Sequence, residues 1–197
     1  MSCKSGIFLA AALASALLHP ACSRSGQSSP QLRRLAVLPV DDQSPSGSHA
    51  WLARLLPFAL VRQIEGSPRL LAAEVRNAAG LSGATHQLAG FLSLRSGNVE
   101  AHLFLYELPS HKLVRHEVIA RPSADWLSLL SGAARFVASA LQPSASLQPI
   151  SVKKDSAARR LAEALSASTP EQSQAAFRAA AEDDPSCGWC WLGWAET

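Results

Sequence analysis

Apolar residues recur along this chain in two different periods, and the change from one to the other falls at His86. Ahead of it, Leu35, Ala36, Val37, Leu38 and Val40 form a short apolar run behind Arg33 and Arg34, stopped by Pro39 and the acidic, Ser/Pro/Gly-rich stretch Asp41 to Ser48. Such a run reads as a buried strand, and Leu32 to Asp42 is taken as the first, central strand of a small α/β domain. Ser48 can cap a helix that begins near Ala50, in which Leu52, Leu56, Ala59, Leu60 and Ile64 recur at helical spacing with Arg54, Arg62 and Gln63 turned outward. Pro57 lacks an N–H and predicts a kink or a restart near Leu56. After Gly66-Ser67-Pro68, the run Arg69 to Val75 predicts a second strand, parallel to the first because a helix separates them. Arg76 to Ala84 predicts a short, glycine-interrupted helix.

From His86 the period is two. Gln87 to Arg95, Val99 to Glu107 and Lys112 to Arg121 predict three antiparallel strands joined by Ser96-Gly97-Asn98 and Pro109-Ser110-His111. In the middle strand Val99, Ala101, Leu103 and Leu105 face one way, and Glu100, His102, Phe104 and Tyr106 the other. Ser123 then predicts a cap for a helix to Leu141 whose apolar face, with Trp126, Leu129, Leu130, Ala133, Phe136 and Val137, packs on the sheet. Gln142 to Ser151 is Pro/Ser-rich and reads as a linker. The remainder is alanine-rich: helices are predicted at Ser156 to Ala167 and Glu171 to Glu182, and a third from near Ser186.

The order of these pieces, RLAVLPVDD, a Trp-Leu-Ala helix, HQLAGFLSLRSGNVEAHLFLYELPSHKLVRHEVIARP and a closing amphipathic helix, resembles the TolB amino-terminal-like domain found in bacterial proteins ahead of tetratricopeptide repeats. The resemblance covers Leu32 to about Leu141 and implies an α/β module with no established catalytic role. In the tail, Ser173, Phe177, Ala180 and Pro185 resemble the second helix of a tetratricopeptide repeat, with Ser173 where that pattern has alanine. Trp191, Trp194 and Ala195 resemble the opening of the next repeat, and Trp189, Leu192 and Gly193 offer a rival register. The expected fold class is therefore α/β, a mixed sheet with helices, followed by an α-helical tetratricopeptide-like segment. Its expected divisions are a signal peptide (1–21), a tether (22–31), the α/β domain (32–142), a linker (143–155) and a partial repeat segment (156–197). One repeat and a fragment would be unstable as an array, which suggests a truncated product.

Composition adds an address. Lys4 followed by the apolar stretch Ile7 to Leu18 and the small residue Ala21 reads as a secretory signal, too short for a membrane-spanning helix. Leu17-Leu18-His19-Pro20-Ala21-Cys22 resembles a bacterial lipoprotein cleavage box, which implies acylation of Cys22 and attachment to the membrane; Ser23 is compatible with sorting to the outer membrane. Ser23 to Gln31 has almost no apolar residues and reads as a tether. A formal charge of +3 without a Lys/Arg block gives no footprint for nucleic acid.

Candidate chemistry is sparse. Cys187-Gly188-Trp189-Cys190 has the spacing of a redox pair, which makes a thiol-disulfide oxidoreductase the alternative reading, but it follows a helix rather than a strand of a βαβ unit, and no second pair completes a zinc site. A local disulfide is compatible with an exported protein. The six histidines form no HExxH or i,i+4 pair, Gly80 to Ala84 misses the hydrolase elbow at its last position, and Asp41-Asp42 lacks the spacing of a calcium loop. Trp189, Trp191 and Trp194 form a candidate interaction surface. The expectation is a non-enzymatic envelope scaffold without a cofactor, whose partner is an unidentified protein or peptide and whose C-terminal segment self-associates.

Overall fold

The computed structural model describes residues 31–75 and 81–197, and residues 31–197 fall in one compact unit. The signal peptide, Cys22 and most of the tether lie outside the described residues, as does most of the helix expected at Arg76 to Ala84; Leu81 to Ala84 is a turn closed by Ala84 N–H to the Leu81 carbonyl, 3.0 Å. Among the described residues are a five-stranded mixed sheet and five α-helices. The strands are β1 (Arg33–Asp42), β2 (Leu70–Glu74), β3 (His86–Arg95), β4 (Asn98–Glu107) and β5 (Lys112–Pro122), in the order β2-β1-β3-β4-β5. β1 is parallel to both neighbours, and β3, β4 and β5 form the antiparallel meander that the alternation predicts.

Pro39 does not end β1. It sits where the β1–β3 register shifts between Val37 and Val40, an irregularity at which a residue without an N–H removes no ladder bond, and pairing resumes through Asp42. Between β3 and β4, Arg95 pairs with Asn98, leaving a two-residue turn in which Ser96 and Gly97 both have positive φ, at 52° and 79°. That combination is the hairpin turn whose twist matches the strands.

The crossover helix α1 (Ala50–Ile64) and the helix α2 (Trp126–Leu141) lie against the sheet, burying Leu52, Leu55, Leu56, Leu60, Leu129 and Leu130 completely. Pro57 is accommodated inside α1 without interrupting it, contrary to the expected restart. Neither predicted serine cap forms. Ser48 Oγ bonds His49 Nδ1, 3.0 Å, and His49 is the N-cap residue, without a side-chain cap bond; Ser123 Oγ donates to the Gly97 carbonyl, 3.4 Å, and Asp125 occupies the N-cap position of α2. Gln63 is buried rather than outward: its amide donates to the Ala59 carbonyl at 3.2 Å and the Leu130 carbonyl at 3.4 Å, tying α1 to α2. The C-terminal end of α2, with no basic residue in its last turn, receives the Arg33 guanidinium from β1 on its Ala140 and Leu141 carbonyls. A cation there complements the negative end of the helix dipole.

The helices α3 (Asp155–Ser166), α4 (Pro170–Asp183) and α5 (Gly188–Glu196) pack in sequence, α3 on α1, α4 on α3 and α5 on α4. Residues 142–154 have no regular secondary structure, as their composition predicts, yet they are laid along α1: Gln148 N–H donates to the Gln63 carbonyl at 2.7 Å, and Val152 is fully buried. Their anchor is Asp184, 3% exposed, whose carboxylate accepts from the backbone N–H groups of Lys153 (2.8 Å), Lys154 (3.4 Å) and Ser186 (3.1 Å) and from Ser186 Oγ (2.6 Å). Burial raises its pKa, but these bonds outweigh that cost and hold the carboxyl below its ordinary value. Gly193 lets α5 approach α4 face to face, since a Cβ there would fall on the Phe177 ring.

Candidate functional site

The helices that contact the sheet, α1 and α2, pack on the face carrying Val99, Ala101, Leu103 and Leu105, all of which are buried. The opposite face carries the outward residues of each strand. On β4 these are Glu100, His102, Phe104 and Tyr106, all partly exposed. Cross-strand register brings Phe91 of β3 opposite His102, and His116 of β5 opposite Phe104. The four rings form a stacked array: Phe91 lies on His102 with centroids 4.4 Å apart and planes 10° apart, and Phe104 on His116 at 4.4 Å and 12°. Diagonal contacts of 6.3 Å between Phe91 and Phe104 and 6.4 Å between His102 and His116 close the square. Ser93 Oγ and Glu100 Oε2 stand 3.2 Å and 3.4 Å from His102 Nε2.

This array is a flat, partly exposed aromatic platform. Aromatic cross-strand pairs favour association beyond their area, and aromatic residues are enriched in the buried centres of interfaces. Sequence alternation alone puts His102 and Phe104 on one face and reads the histidines as ordinary surface residues. What it lacks is the pairing register of three strands, which places Phe91 and His116 beside them.

A second feature is a cleft of about 590 Å³ at the C-terminal ends of β1 and β2, bordered by Val40, Asp41, Arg54, Pro57 and Val75 and closed on one side by Leu165 at the end of α3. The loop above it is held by Asp42, whose carboxylate accepts from Ser44 N–H and His49 N–H, both 2.9 Å. Burial raises the pKa of Asp42, but hydrogen bonds from Ser44 and His49 and the nearby His49 ring bring it below the ordinary value. At the other end of the sheet, burial and the Arg33 charge lower the pKa of His86, against the opposing pull of Glu107. Among the described residues no group of three or more His, Cys, Asp or Glu side chains is placed to hold a metal ion, and no helix is long and apolar enough to cross a membrane.

The three tryptophans of the predicted interaction surface separate. Trp189 is buried, its ring edge-on to Phe58 of α1 with centroids 5.7 Å apart and its backbone N–H donating to Ser151 Oγ at 2.9 Å. Trp191 is 43% exposed beside Leu192 and packs on the partly buried Trp194 at 5.4 Å. Only Trp191, Leu192 and part of Trp194 remain as outward surface. Cys187 and Cys190 are joined by a disulfide, and both are fully buried at the start of α5, where Cys187 Sγ also accepts from Cys190 N–H at 3.1 Å. A thiolate must be reached to attack or be attacked, so thiol exchange at this pair requires α5 to open. Cys22, the predicted lipidation residue, is outside the described residues.

No family model matches the sequence, and no curated protein matches it. Solved structures do. TolB from Acinetobacter baumannii is similar with 14% identity and a TM-score of 0.43, over 57% of this chain and 29% of that one. The PelC dodecamer from Paraburkholderia phytofirmans is similar with 15% identity and a TM-score of 0.38, over 57% of this chain and 89% of that one. A lipoprotein of Neisseria meningitidis is similar with 16% identity and a TM-score of 0.29, over 55% of this chain and 99% of that one. Nothing in these comparisons supports the tetratricopeptide resemblance of the tail. Each of these is matched over little more than half of this chain's length.

Proposed function

We propose that this chain is a non-enzymatic interaction module of the bacterial envelope, and that it meets its partner protein through the bare face of the sheet. The observation that carries the reading is the Phe91–His102–Phe104–His116 array, a stacked aromatic platform left partly exposed on a sheet whose other face is packed by α1 and α2. The secretory pattern of residues 1–21 and the box before Cys22 support placement on the periplasmic side of a membrane through acylation of Cys22, and Ser23 supports the outer membrane. The helical hairpin α3–α4, followed by α5, is the start of a tetratricopeptide-like stack on this reading, and Trp191, Leu192 and Trp194 form its next packing face, available to a peptide or to self-association.

The test is site-specific photocrosslinking in cells, with the crosslinking amino acid placed in turn at Phe91, Phe104 and Ser186. Discrete adducts from the two sheet positions, absent from Ser186, are expected. Adducts from Ser186 alone would move the interaction to the helical tail, and none from the sheet positions would refute the proposal.

A further inference from the structure

We infer that β5 is a self-pairing edge, and that two copies of this chain associate by antiparallel β5–β5 pairing about a two-fold axis at His116. β5 has β4 on one side and no strand on the other, so its second row of backbone N–H and C=O groups is unpaired within the described sheet. Its central sequence, Val114-Arg115-His116-Glu117-Val118, is self-complementary when reversed. Laid antiparallel on a second copy, Arg115 faces Glu117, Val114 faces Val118 and His116 faces itself. Other nearby registers lose this match: centring on Glu117 sets carboxylate against carboxylate, and centring on Val118 sets Arg115 against Arg121. Like charges directly opposite are destabilising and opposite charges stabilising.

Exposure fits the same register. Leu113, Val114 and Val118 are 48%, 45% and 42% exposed, an unusual concentration of large apolar side chains on one edge strand, and His116 is exposed between them. Arg115 and Glu117 are already paired within the strand at 3.0 Å, so a second copy would build an alternating square of four charges. The β4–β5 register shift opposite Leu105 and Tyr106 falls at Val114, the end of the complementary span, leaving Arg115 to Glu117 as its regular centre. An isologous contact of this kind closes on itself as a dimer rather than growing into a fibre. The dimer would also set two aromatic platforms side by side in one ten-strand sheet, because His116 belongs to both features.

Charge reversal tests the register itself. Sedimentation equilibrium of the full chain is expected to show a dimer. R115E and E117R alone are each expected to raise the dissociation constant roughly tenfold or more, since two symmetric pairs turn repulsive. The double variant R115E/E117R restores both pairs and is expected to recover the dimer. Circular dichroism checks that each variant is folded, because Arg115 also bonds Ser139 and lies over Phe136. H116C supplies an independent reading, in which mild oxidation joins two copies through position 116 and the parent chain under the same oxidant does not. W191S is expected to leave the dimer intact, which separates this contact from association through α5. A monomeric parent chain, single reversals without effect, or a double variant that stays monomeric would each overturn the inference.

Discussion

Asp184→Ala removes one side chain and with it the acceptor for four donors, two on the segment before α3 and two on Ser186. Lys153 and Lys154 precede α3, Ser186 precedes α5, and Asp184 itself ends α4. A hydrogen bond to a charged group is worth about 1.5–3 kcal/mol net, and bonds sharing one carboxylate do not add, so the variant should lose about 3 kcal/mol. For a chain of this size that corresponds to a fall of about 6–12 °C in melting temperature. The Asp184 carboxyl has a native pKa below its unfolded value of 3.8, so its contribution is complete above that value and is lost as pH falls through the native pKa. Urea unfolding followed by far-ultraviolet circular dichroism, on both proteins across pH, measures this. The gap should be near its full size at neutral pH and shrink below about pH 4. A loss below about 1 kcal/mol at neutral pH, or a gap unchanged in acid, would refute the assignment of Asp184 as the tie.

Three further outcomes follow from the same structure. Trp189→Ala should cost about 3 kcal/mol because its ring is buried against Phe58, whereas Trp191→Ala should change stability by about 0.5 kcal/mol or less; equal effects in urea titrations would contradict the docking of α5 on α1. Replacing both Cys187 and Cys190 with serine should cost about 2 kcal/mol, the entropy of a very short closed loop, and in the parent chain a mild reductant should leave the disulfide intact until denaturant is added, as thiol trapping and mass spectrometry would show. Cys22→Ser should leave the protein unprocessed or released from membranes on fractionation; because one acyl chain holds only marginally, wild-type retention requires the several chains of a lipoprotein. Wild-type protein found free in the periplasm with an unmodified Cys22 would contradict the anchor.

The sheet was the most legible part of the sequence because its physics is local. A strand with one face on helices and one uncovered must alternate, and Val99 to Tyr106 does so without exception. The parallel β1–β2 pair was equally readable, since only a helix lies between them. What escaped the reading depends on contacts between distant segments. Gln63 is buried because the Leu130 carbonyl, on another helix, accepts its amide. Ser48 and Ser123 do not cap: their hydroxyls bond His49 and the Gly97 carbonyl, and His49 and Asp125 hold the N-cap positions. Asp184 reads as the end of a helix, while two of its donors lie about thirty residues earlier. The aromatic platform is intermediate: half of it is visible in β4, and the other half requires knowing that Phe91 meets His102 and His116 meets Phe104.

The claim that the bare sheet face is the working surface is tested most directly by histidine footprinting. Diethyl pyrocarbonate modification of His102, read by mass spectrometry, is compared between purified protein and protein in isolated envelopes, with the exposed loop residue His111 as the internal reference. The account predicts that His102 reacts in the purified protein and is protected in envelopes while His111 reacts in both. Equal reactivity of His102 in the two preparations would contradict it.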